Sequence, residues 1–313
     1  AFLLKPNEDT RLDQRAMQLF TIISRFLSKR LQIETYQVLP ISSKVGLIGW
    51  LEDTETMFEL IRTERKKLSI SMLAEMNCLN EKEKELIMKD VVSINEDKAV
   101  RKKQLSMRIY ALKRMISQTR CDEIRNFLME TSINANNWVE RRMTYTCSLA
   151  VTSIAGYLIG VGDRHLQNIM MKSKTAKIVH IDFGDCFEVL KKRNRWPEVV
   201  PFRLTRVLLN GLEVTQVDGT FRKRCEEVMA VMRENGEVIS ELLETFIYDP
   251  LINCEKIFGD PKEIIGRIKD KLNGNDFSTE KPLNVEQQID CLIKDATDIK
   301  NLAVMFSGWN PWF

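Results

Sequence analysis

Hydrophobic residues recur at two different spacings along this chain, and the change between them separates a short strand-rich start from a long helical remainder. Apolar positions at helical spacing predict an amphipathic helix over residues 17–27, after an apolar run at residues 1–5. Two further apolar segments, 35–41 and 45–51, flank a Ser-Ser-Lys turn and predict a pair of strands. The start of the chain is therefore predicted to be a small unit of strands with one helix.

Helical patterns dominate from residue 54 onward. Residues 54–136 are rich in charge, which is typical of solvated helix faces. Within them, apolar residues from Leu105 to Ile116 predict an amphipathic helix that docks on its own domain or on a partner. Residues 141–159 predict a long buried helix. Further helices are predicted over 206–248, with interruptions near 218–219 and 235–236, and over 262–272 and 285–306, with a short linker at 253–261.

Composition narrows the class of protein. The 313 residues suffice for one large domain or for two lobes that share a cleft. The net charge of +3 does not indicate nucleic-acid binding, and no apolar run reaches the roughly 18 residues of a membrane span. The seven cysteines are scattered without a C-x-x-C pair, which favours reduced thiols in the cytosol or nucleus and argues against a zinc site. Because the chain has no initiator Met, we expect it to be part of a longer protein.

The motifs that carry chemistry are concentrated in residues 156–188. Asp163 and Asn168 are five residues apart, and Asp182 opens an Asp-Phe-Gly sequence directly after the apolar run 178–181. Phosphoryl transfer needs such a set, because one carboxylate orients the attacking hydroxyl while an amide and a second carboxylate supply hard oxygen ligands for Mg²⁺. The spacing therefore predicts a site for phosphoryl transfer.

Both histidines of the chain fall in the same stretch. His165 lies in the Asp-Arg-His sequence, which reverses the order usual in protein kinases, and we expect it to act near the γ-phosphate or the attacking hydroxyl. For His180 we expect only a structural role. The predicted catalytic residues are thus Asp163, His165, Asn168 and Asp182.

The start of the chain offers a nucleotide site. Lys5 closes the first apolar run and is the candidate to reach the α- and β-phosphates of ATP. Glu8 and Asp13 are candidate acidic partners of Lys5, or they favour the N-terminus of the following helix. The strand at 45–51 leads into a predicted hinge, where Tyr36, Ile48 and Trp50 would wall an adenine pocket; the alternative is a plain β-hairpin core.

These residues resemble the kinase region of the target of rapamycin (TOR) family, which is part of the phosphatidylinositol 3-kinase-related protein kinases. The resemblance covers essentially the whole chain. It implies an α+β fold with a small, truncated, strand-containing N-lobe and a large, mainly helical C-lobe. The matching segments are Phe-Leu-Leu-Lys at 2–5, Met-Gln-Leu-Phe at 17–20, Gly-Leu-Ile-Gly-Trp at 46–50, and residues 162–168, 180–189, 201–206 and 248–251, with a FATC-like tail from residue 283.

The resemblance implies boundaries and site residues. The partial N-lobe, without its glycine-rich loop, would span 1–51 and the C-lobe 52–282, with a helical insertion at about 68–118 and a FATC-like segment at 283–313. Asn168 and Asp182 would hold Mg²⁺, with Mn²⁺ as the alternative ion, and Lys5 would contact ATP with Glu8 and Asp13 in its acidic network. The catalytic loop would be 162–168 and the activation segment 182–206. The nucleotide pocket would also include Leu3, Tyr36, Ile48, Gly49, Trp50, Met170 and Ile181.

The implied activity is transfer of the ATP γ-phosphoryl to serine or threonine of protein substrates, in growth and nutrient signalling. The partners implied are a WD40-propeller (Lst8-like) subunit on the insertion and a substrate-recruiting scaffold subunit, without nucleic acid and with peripheral membrane association as an option. The implied location is cytoplasmic, at lysosome or vacuole surfaces, with the nucleus as an alternative. Two rival functions remain: a phosphoinositide kinase, favoured by the basic cluster 191–195, and a catalytically silent scaffold that binds partners through residues 68–118.

Overall fold

The computed structural model describes residues 1–89, 98–193, 196–252 and 254–313. The strands are β1 (Phe2–Pro6), β2 (Val38–Ser42), β3 (Val45–Gly49), β4 (Thr54–Thr56), β5 (Ile169–Lys172) and β6 (Ile178–His180). The helices are α1 (Arg11–Phe26), α2 (Met57–Lys67), α3 (Ala74–Asn77), α4 (Glu81–Met88), α5 (Lys98–Gln118), α6 (Glu123–Glu130), α7 (Ala135–Leu158), α8 (Arg206–Gly211), α9 (Arg222–Glu234), α10 (Gly236–Ile247), α11 (Cys254–Phe258), α12 (Pro261–Asn273), α13 (Val285–Thr297) and α14 (Ile299–Val304).

The N-terminal sheet is antiparallel, in the order β1-β3-β2. Lys5 pairs with Gly46 across β1 and β3, so the sheet carries the lysine at its surface. The predicted strand over 35–41 begins three residues later, at Val38. The backbone N–H of Tyr36 instead donates to the thioether of Met17 on α1, at 3.5 Å, because this segment packs on the helix before it enters the sheet.

Helix α1 joins this sheet to the rest of the molecule. Its apolar face, which includes Met17, Phe20 and Ile23, is buried, as the helical spacing predicts. The ring of Phe20 makes an edge-to-face contact with Phe183, with 5.4 Å between ring centroids. The amphipathic helix thus contacts the segment that follows β6, which belongs to the second sheet found in the described residues, in the order β4-β5-β6.

The C-terminal part is built around α7, whose residues from Tyr145 to Leu158 are all buried. The helix begins at Ala135, six residues before the predicted start. The side chain of Asn134 caps it by accepting a hydrogen bond from the N–H of Asn137. The start of α7 could not be predicted from apolar spacing, because its first turns are polar and only the second half of the helix lies in the core.

The predicted helical insertion contains α3, α4 and α5. Helix α5 packs against α14 in the tail, and the buried Arg108 donates to the backbone carbonyls of Ala303 at 2.5 Å and of Met305 at 3.1 Å. The sequence left two alternatives for this amphipathic helix, docking on its own domain or on a partner. In the structure its buried face docks on its own domain.

The predicted single helix over 285–306 is wrong in one respect. It is divided into α13 and α14 at Asp298, whose extended backbone breaks the first helix. The Asp298 side chain then accepts a hydrogen bond from the N–H of Lys300 at 2.9 Å and so caps the second helix.

The aromatic end of the chain is buried. Trp309, Trp312 and Phe313 are each at most 5% exposed, and the guanidinium of Arg65 on α2 lies 4.5 Å from the ring centroid of Phe313. These aromatics pack on the large lobe. The described helices include none that is long and apolar enough to cross a membrane. The predicted α+β architecture, a small strand-containing lobe and a mainly helical one, is confirmed.

Candidate active site

The catalytic loop between α7 and β5 holds Asp163 in an unusual backbone conformation. Its φ is +56°, in the left-handed region, and its side chain is 47% exposed. Its backbone N–H donates to the Glu198 carboxylate at 2.7 Å. The ring of His165 lies nearby, with 3.7 Å between its Nε2 and Oδ2 of Asp163. The loop therefore presents one carboxylate to solvent with an imidazole beside it.

The surroundings of His165 favour the uncharged form of its imidazole. Partial burial lowers the pKa of His165, although the Asp163 carboxylate opposes this shift. Nδ1 of the ring accepts a hydrogen bond from the N–H of Gln167 at 3.2 Å, so the proton of the neutral ring is assigned to Nε2, the nitrogen that faces Asp163. His180 differs: complete burial lowers its pKa to about 3, in line with a structural role.

Asn168 is buried at the end of the same loop, and its amide is oriented by Asp163. Nδ2 donates to the Asp163 carbonyl oxygen at 3.0 Å. The amide oxygen is thereby the atom left to bind a cation, and oxygen is the ligand that Mg²⁺ prefers. The Asn168 carbonyl accepts from the N–H of Ile181 at 3.1 Å, which places the loop next to the Asp-Phe-Gly sequence.

Arg164 connects these two segments, and sequence reasoning did not single it out. The side chain is buried; Nε donates to the Gly162 carbonyl at 2.8 Å, and the two terminal nitrogens donate to the carbonyls of Ile181, at 2.7 Å, and Asp182. Burial lowers the pKa of Arg164. One guanidinium thus fixes the predicted catalytic loop against the segment predicted to bind the metal. Nothing in the local sequence distinguishes this buried arginine from a surface one.

The Asp-Phe-Gly sequence is held from the other side by α1. Asp182 has a φ of +62°, and Phe183 is fully buried. The N–H of Phe183 donates to Oδ1 of Asp13 at 3.1 Å. Burial raises the pKa of Asp13 to about 6, against the effect of this hydrogen bond. The two carboxyl groups of Asp13 and Asp182 are close enough to interact electrostatically, so Asp13 completes the acidic end of the site.

Lys5 reaches the same place from β1. Its ammonium forms an ion pair with Glu8 at 2.7 Å, and the carboxylates of Asp182 and Asp13 are within electrostatic range. Burial by itself would lower the pKa of Lys5, but these carboxylates, with Glu8 foremost, raise it overall. The structure therefore brings Lys5 to Asp182, although the two are far apart in sequence.

The predicted adenine-pocket residues lie on both sheets. Leu3 pairs with Ile48 across β1 and β3, next to Gly49, and Trp50 is 62% exposed just beyond β3. Met170 lies on β5 and Ile181 directly after β6. Their role stays a prediction.

Tyr36 takes a different position from the other predicted wall residues. It is buried, and its phenol lies within electrostatic range of Asp13 and Asp182, so that burial and the Asp13 charge raise its pKa. Tyr36 is thus the most buried of these predicted wall residues, and its role in the nucleotide pocket also stays a prediction.

The described members of the basic cluster after the Asp-Phe-Gly sequence form ion pairs with acidic residues of the chain. Lys191 pairs with Glu188 at 2.9 Å, Lys192 with Glu263 at 3.3 Å, and Arg193 with Asp185 at 3.1 Å. The remaining members of the cluster, at 194–195, lie outside the described residues. Each described basic side chain of this cluster thus already has an acidic partner.

Comparison with known proteins identifies the family. The sequence profile described as phosphatidylinositol 3- and 4-kinase matches residues 1–256, and that of the FATC domain matches residues 282–313. The chain belongs to the phosphatidylinositol 3- and 4-kinase family. Membership implies the use of ATP and a divalent metal. The predicted domain boundaries and site residues stay predictions.

The resemblance to TOR kinases is confirmed. The chain is 33% identical over 380 residues to the serine/threonine-protein kinase mTor of Drosophila melanogaster, covering 100% of this chain and 15% of that protein. It is 40% identical over 260 residues to the serine/threonine-protein kinase TOR of Oryza sativa subsp. japonica, covering 81% of this chain and 10% of that protein. The solved FAT and kinase domain of CtTel1 superposes with a TM-score of 0.82 at 30% identity, covering 100% of this chain and 22% of that one. The chain thus spans a small part of these relatives.

Proposed function

We propose that this chain carries the catalytic site of a serine/threonine protein kinase that transfers the γ-phosphoryl group of ATP to protein hydroxyls. The observation that carries the proposal is that the buried guanidinium of Arg164 holds the loop that contains Asp163 and Asn168 against Asp182, through backbone carbonyls of both segments. The Arg164 guanidinium donates a hydrogen bond to the backbone carbonyl of Asp182, and the Asn168 amide is oriented by the hydrogen bond that it donates to the Asp163 carbonyl. Such a fixed set suits a reaction whose catalysis consists mainly of positioning and charge stabilisation.

Each residue has a definite task in this proposal. The exposed Asp163 carboxylate orients the substrate hydroxyl and accepts its proton, and the Nε2–H of His165 donates to the charge that develops nearby. Lys5 binds the α- and β-phosphates. The amide oxygen of Asn168 and the carboxylate of Asp182 would hold Mg²⁺, which neutralises phosphate charge when bound. The hard oxygen donors favour Mg²⁺ or Mn²⁺ over softer metals.

Protein rather than lipid is the proposed substrate. The basic cluster was the main support for a lipid substrate, and its described members are paired with Glu188, Glu263 and Asp185. An anionic headgroup would have to displace these carboxylates. The relatives named above are described as serine/threonine-protein kinases, which also supports this choice.

We also propose a protein partner on the insertion. Its outer surface leaves large apolar side chains exposed, among them Leu73, Met107 and Tyr110, while the opposite face of α5 is covered by α14. A WD40-propeller subunit is the partner that the family resemblance implies. A substrate-recruiting scaffold subunit, growth and nutrient signalling, and a cytoplasmic location at endomembranes remain expectations of the same kind.

The test is γ-phosphoryl transfer from ATP with Mg²⁺ by the full-length protein, with protein substrates and phosphoinositide vesicles offered side by side. We expect transfer to protein only, and its loss in Asp182→Asn. Asp218→Asn is the matched control, since Asp218 is exposed and, among the described residues, forms an ion pair with Arg222 of α9. Transfer to lipid alone would replace the proposed substrate, and no transfer to either, with partner binding retained, would favour the scaffold.

A further inference from the structure

The backbone of Asp163 needs an external restraint. A non-glycine residue in the left-handed region is disfavoured, and it keeps this conformation only where its surroundings fix it. The Asp163 side chain is about half exposed, so the surrounding residues enclose it only in part. The restraint therefore has to act on the main chain.

Besides the Asn168 amide, which donates to the Asp163 carbonyl, a side chain from the predicted activation segment contacts this main chain. Oε2 of Glu198 accepts a hydrogen bond from the N–H of Asp163 at 2.7 Å, and Glu198 is 8% exposed. A carboxylate acceptor gives a hydrogen bond about twice as strong as a neutral one. We propose that Glu198 is a positioning residue, whose carboxylate holds the catalytic Asp163 in the backbone conformation that phosphoryl transfer requires. The proposal rests on the function proposed above.

The close approach of Glu198 is built into the neighbouring residues. Gly162 precedes Asp163, and a Cβ at this position would lie 2.6 Å from Cδ1 of Leu190 and 3.3 Å from Oε2 of Glu198. The N–H of Glu198 donates to the Leu190 carbonyl at 3.2 Å. Glycine at 162 thus lets Leu190 and Glu198 pack directly on the catalytic loop.

Burial of this carboxylate is unfavourable in itself. It raises the pKa of Glu198 to about 7, and the nearby Asp163 carboxylate adds to the shift, whereas the Asp163 N–H and the guanidinium groups of Arg164 and Arg203 oppose it. A buried acid with a raised pKa lowers the stability of the fold at neutral and alkaline pH. A buried carboxyl group at position 198 is therefore expected to have a functional role and not a stabilising one.

The test compares Glu198→Ala and Glu198→Gln in the full-length protein, with Glu263→Ala as the control. Glu263 is exposed and pairs with Lys192 of the same activation segment. We expect Glu198→Ala to lower kcat by about 10- to 100-fold while the KM for ATP stays within about twofold, because the mispositioned group acts on the transition state. Glu198→Gln retains an acceptor oxygen and should recover most of this loss. Glu263→Ala should match the wild type.

Thermal unfolding at pH 8 separates positioning from a structural role. We expect the midpoint of Glu198→Gln to equal or exceed that of the wild type, since the buried charge is gone. An unchanged kcat in Glu198→Ala, or losses of kcat that follow lowered midpoints in both variants, would overturn the proposal. If the wild type phosphorylates lipid instead of protein, only the proposed substrate fails, and the variants are compared on lipid. If it transfers to neither, the proposed function and the role of Glu198 fall together.

Discussion

Arg203 donates a hydrogen bond to the backbone carbonyl of Trp309 at 2.6 Å, and its guanidinium lies 4.1 Å from the ring centroid of the same tryptophan. The second terminal nitrogen donates to the Asn310 carbonyl at 2.8 Å, and the first also reaches the Arg164 carbonyl at 3.3 Å. One side chain of the activation segment thus touches both the FATC tail and the catalytic loop. The conformation of the tail and the conformation of the loop are therefore coupled through this side chain.

Arg203→Lys should weaken the attachment of both the C-terminal tail and the predicted catalytic loop. A lysine has one nitrogen to offer in place of a planar fork, so at least one of the three carbonyls loses its donor, at about 1 to 3 kcal/mol each. We expect a lower urea midpoint, faster proteolysis of the tail and a reduced kcat. Arg62→Lys on the exposed face of α2 is the control and should change none of these. Loss of kcat with an intact tail would show that Arg203 acts on the loop alone.

Glu188→Gln should destabilise the fold in a pH-dependent way. Although burial opposes it, the cations around this carboxylate, above all Lys271, lower the pKa of Glu188. A lowered carboxylate pKa contributes stability above the unfolded value, near 4.3, and this contribution is lost as the pH falls. We expect a deficit of about 3 kcal/mol at pH 7, since Lys271 is left buried without its anion.

Urea unfolding of wild type and Glu188→Gln over a pH series that falls from 7 to well below 4 measures this difference. The gap between the two unfolding free energies should persist near pH 4 and narrow only as the pH falls further, towards the lowered pKa of Glu188. A constant gap across the range would mean that packing, and not the ion pairs, accounts for the effect. Glu244→Gln, which removes an exposed pair with Lys269, is the matched control.

Lys5→Met should separate catalysis from folding. The ammonium is partly exposed and its described partner is Glu8, so we expect little change in the thermal midpoint. The loss of its charge from the phosphate side of the site should reduce kcat/KM for ATP by about 100-fold. Lys174→Met, which breaks an exposed pair with Asp53, is the control. Unimpaired kcat/KM in Lys5→Met would remove Lys5 from the nucleotide site.

Asp298→Ala should loosen α14. Loss of an N-cap costs about 1 kcal/mol, and α14 has only six residues over which to recover it. Because Arg108 of α5 donates to the carbonyls of Ala303 and Met305, we expect faster amide hydrogen exchange in both α14 and the second half of α5. Exchange confined to α14 would show that the insertion is held independently of the tail.

Candidate residues could be predicted from the sequence where they are close in the chain, and could not be predicted where only long-range packing brings them together. Asp163, Asn168 and Asp182 could be selected as candidates because the loop and the Asp-Phe-Gly sequence are close in the chain. Glu198 was not, because its partner Asp163 is 35 residues away and only the fold brings them together. Arg164 is equally inconspicuous, since a buried arginine and an exposed one look alike in sequence.

Errors at the element boundaries have the same origin. The strand β2 starts late because Tyr36 packs on α1, a tertiary contact that apolar alternation does not register. Asp298, in contrast, carried a readable signal: an N-capping residue within a long helical pattern is a reason to divide it.

The environment of Phe183 has a consequence for inhibitor design. A compound that requires this ring to leave its pocket must expose a fully buried phenylalanine, break its edge-to-face contact with Phe20 and free the Asp13 carboxylate from the Phe183 N–H. Together these changes cost about 4 kcal/mol or more, which is roughly a thousandfold in affinity. Ligands that leave the ring in place avoid this penalty, so screening against this chain should select compounds that compete directly with the nucleotide.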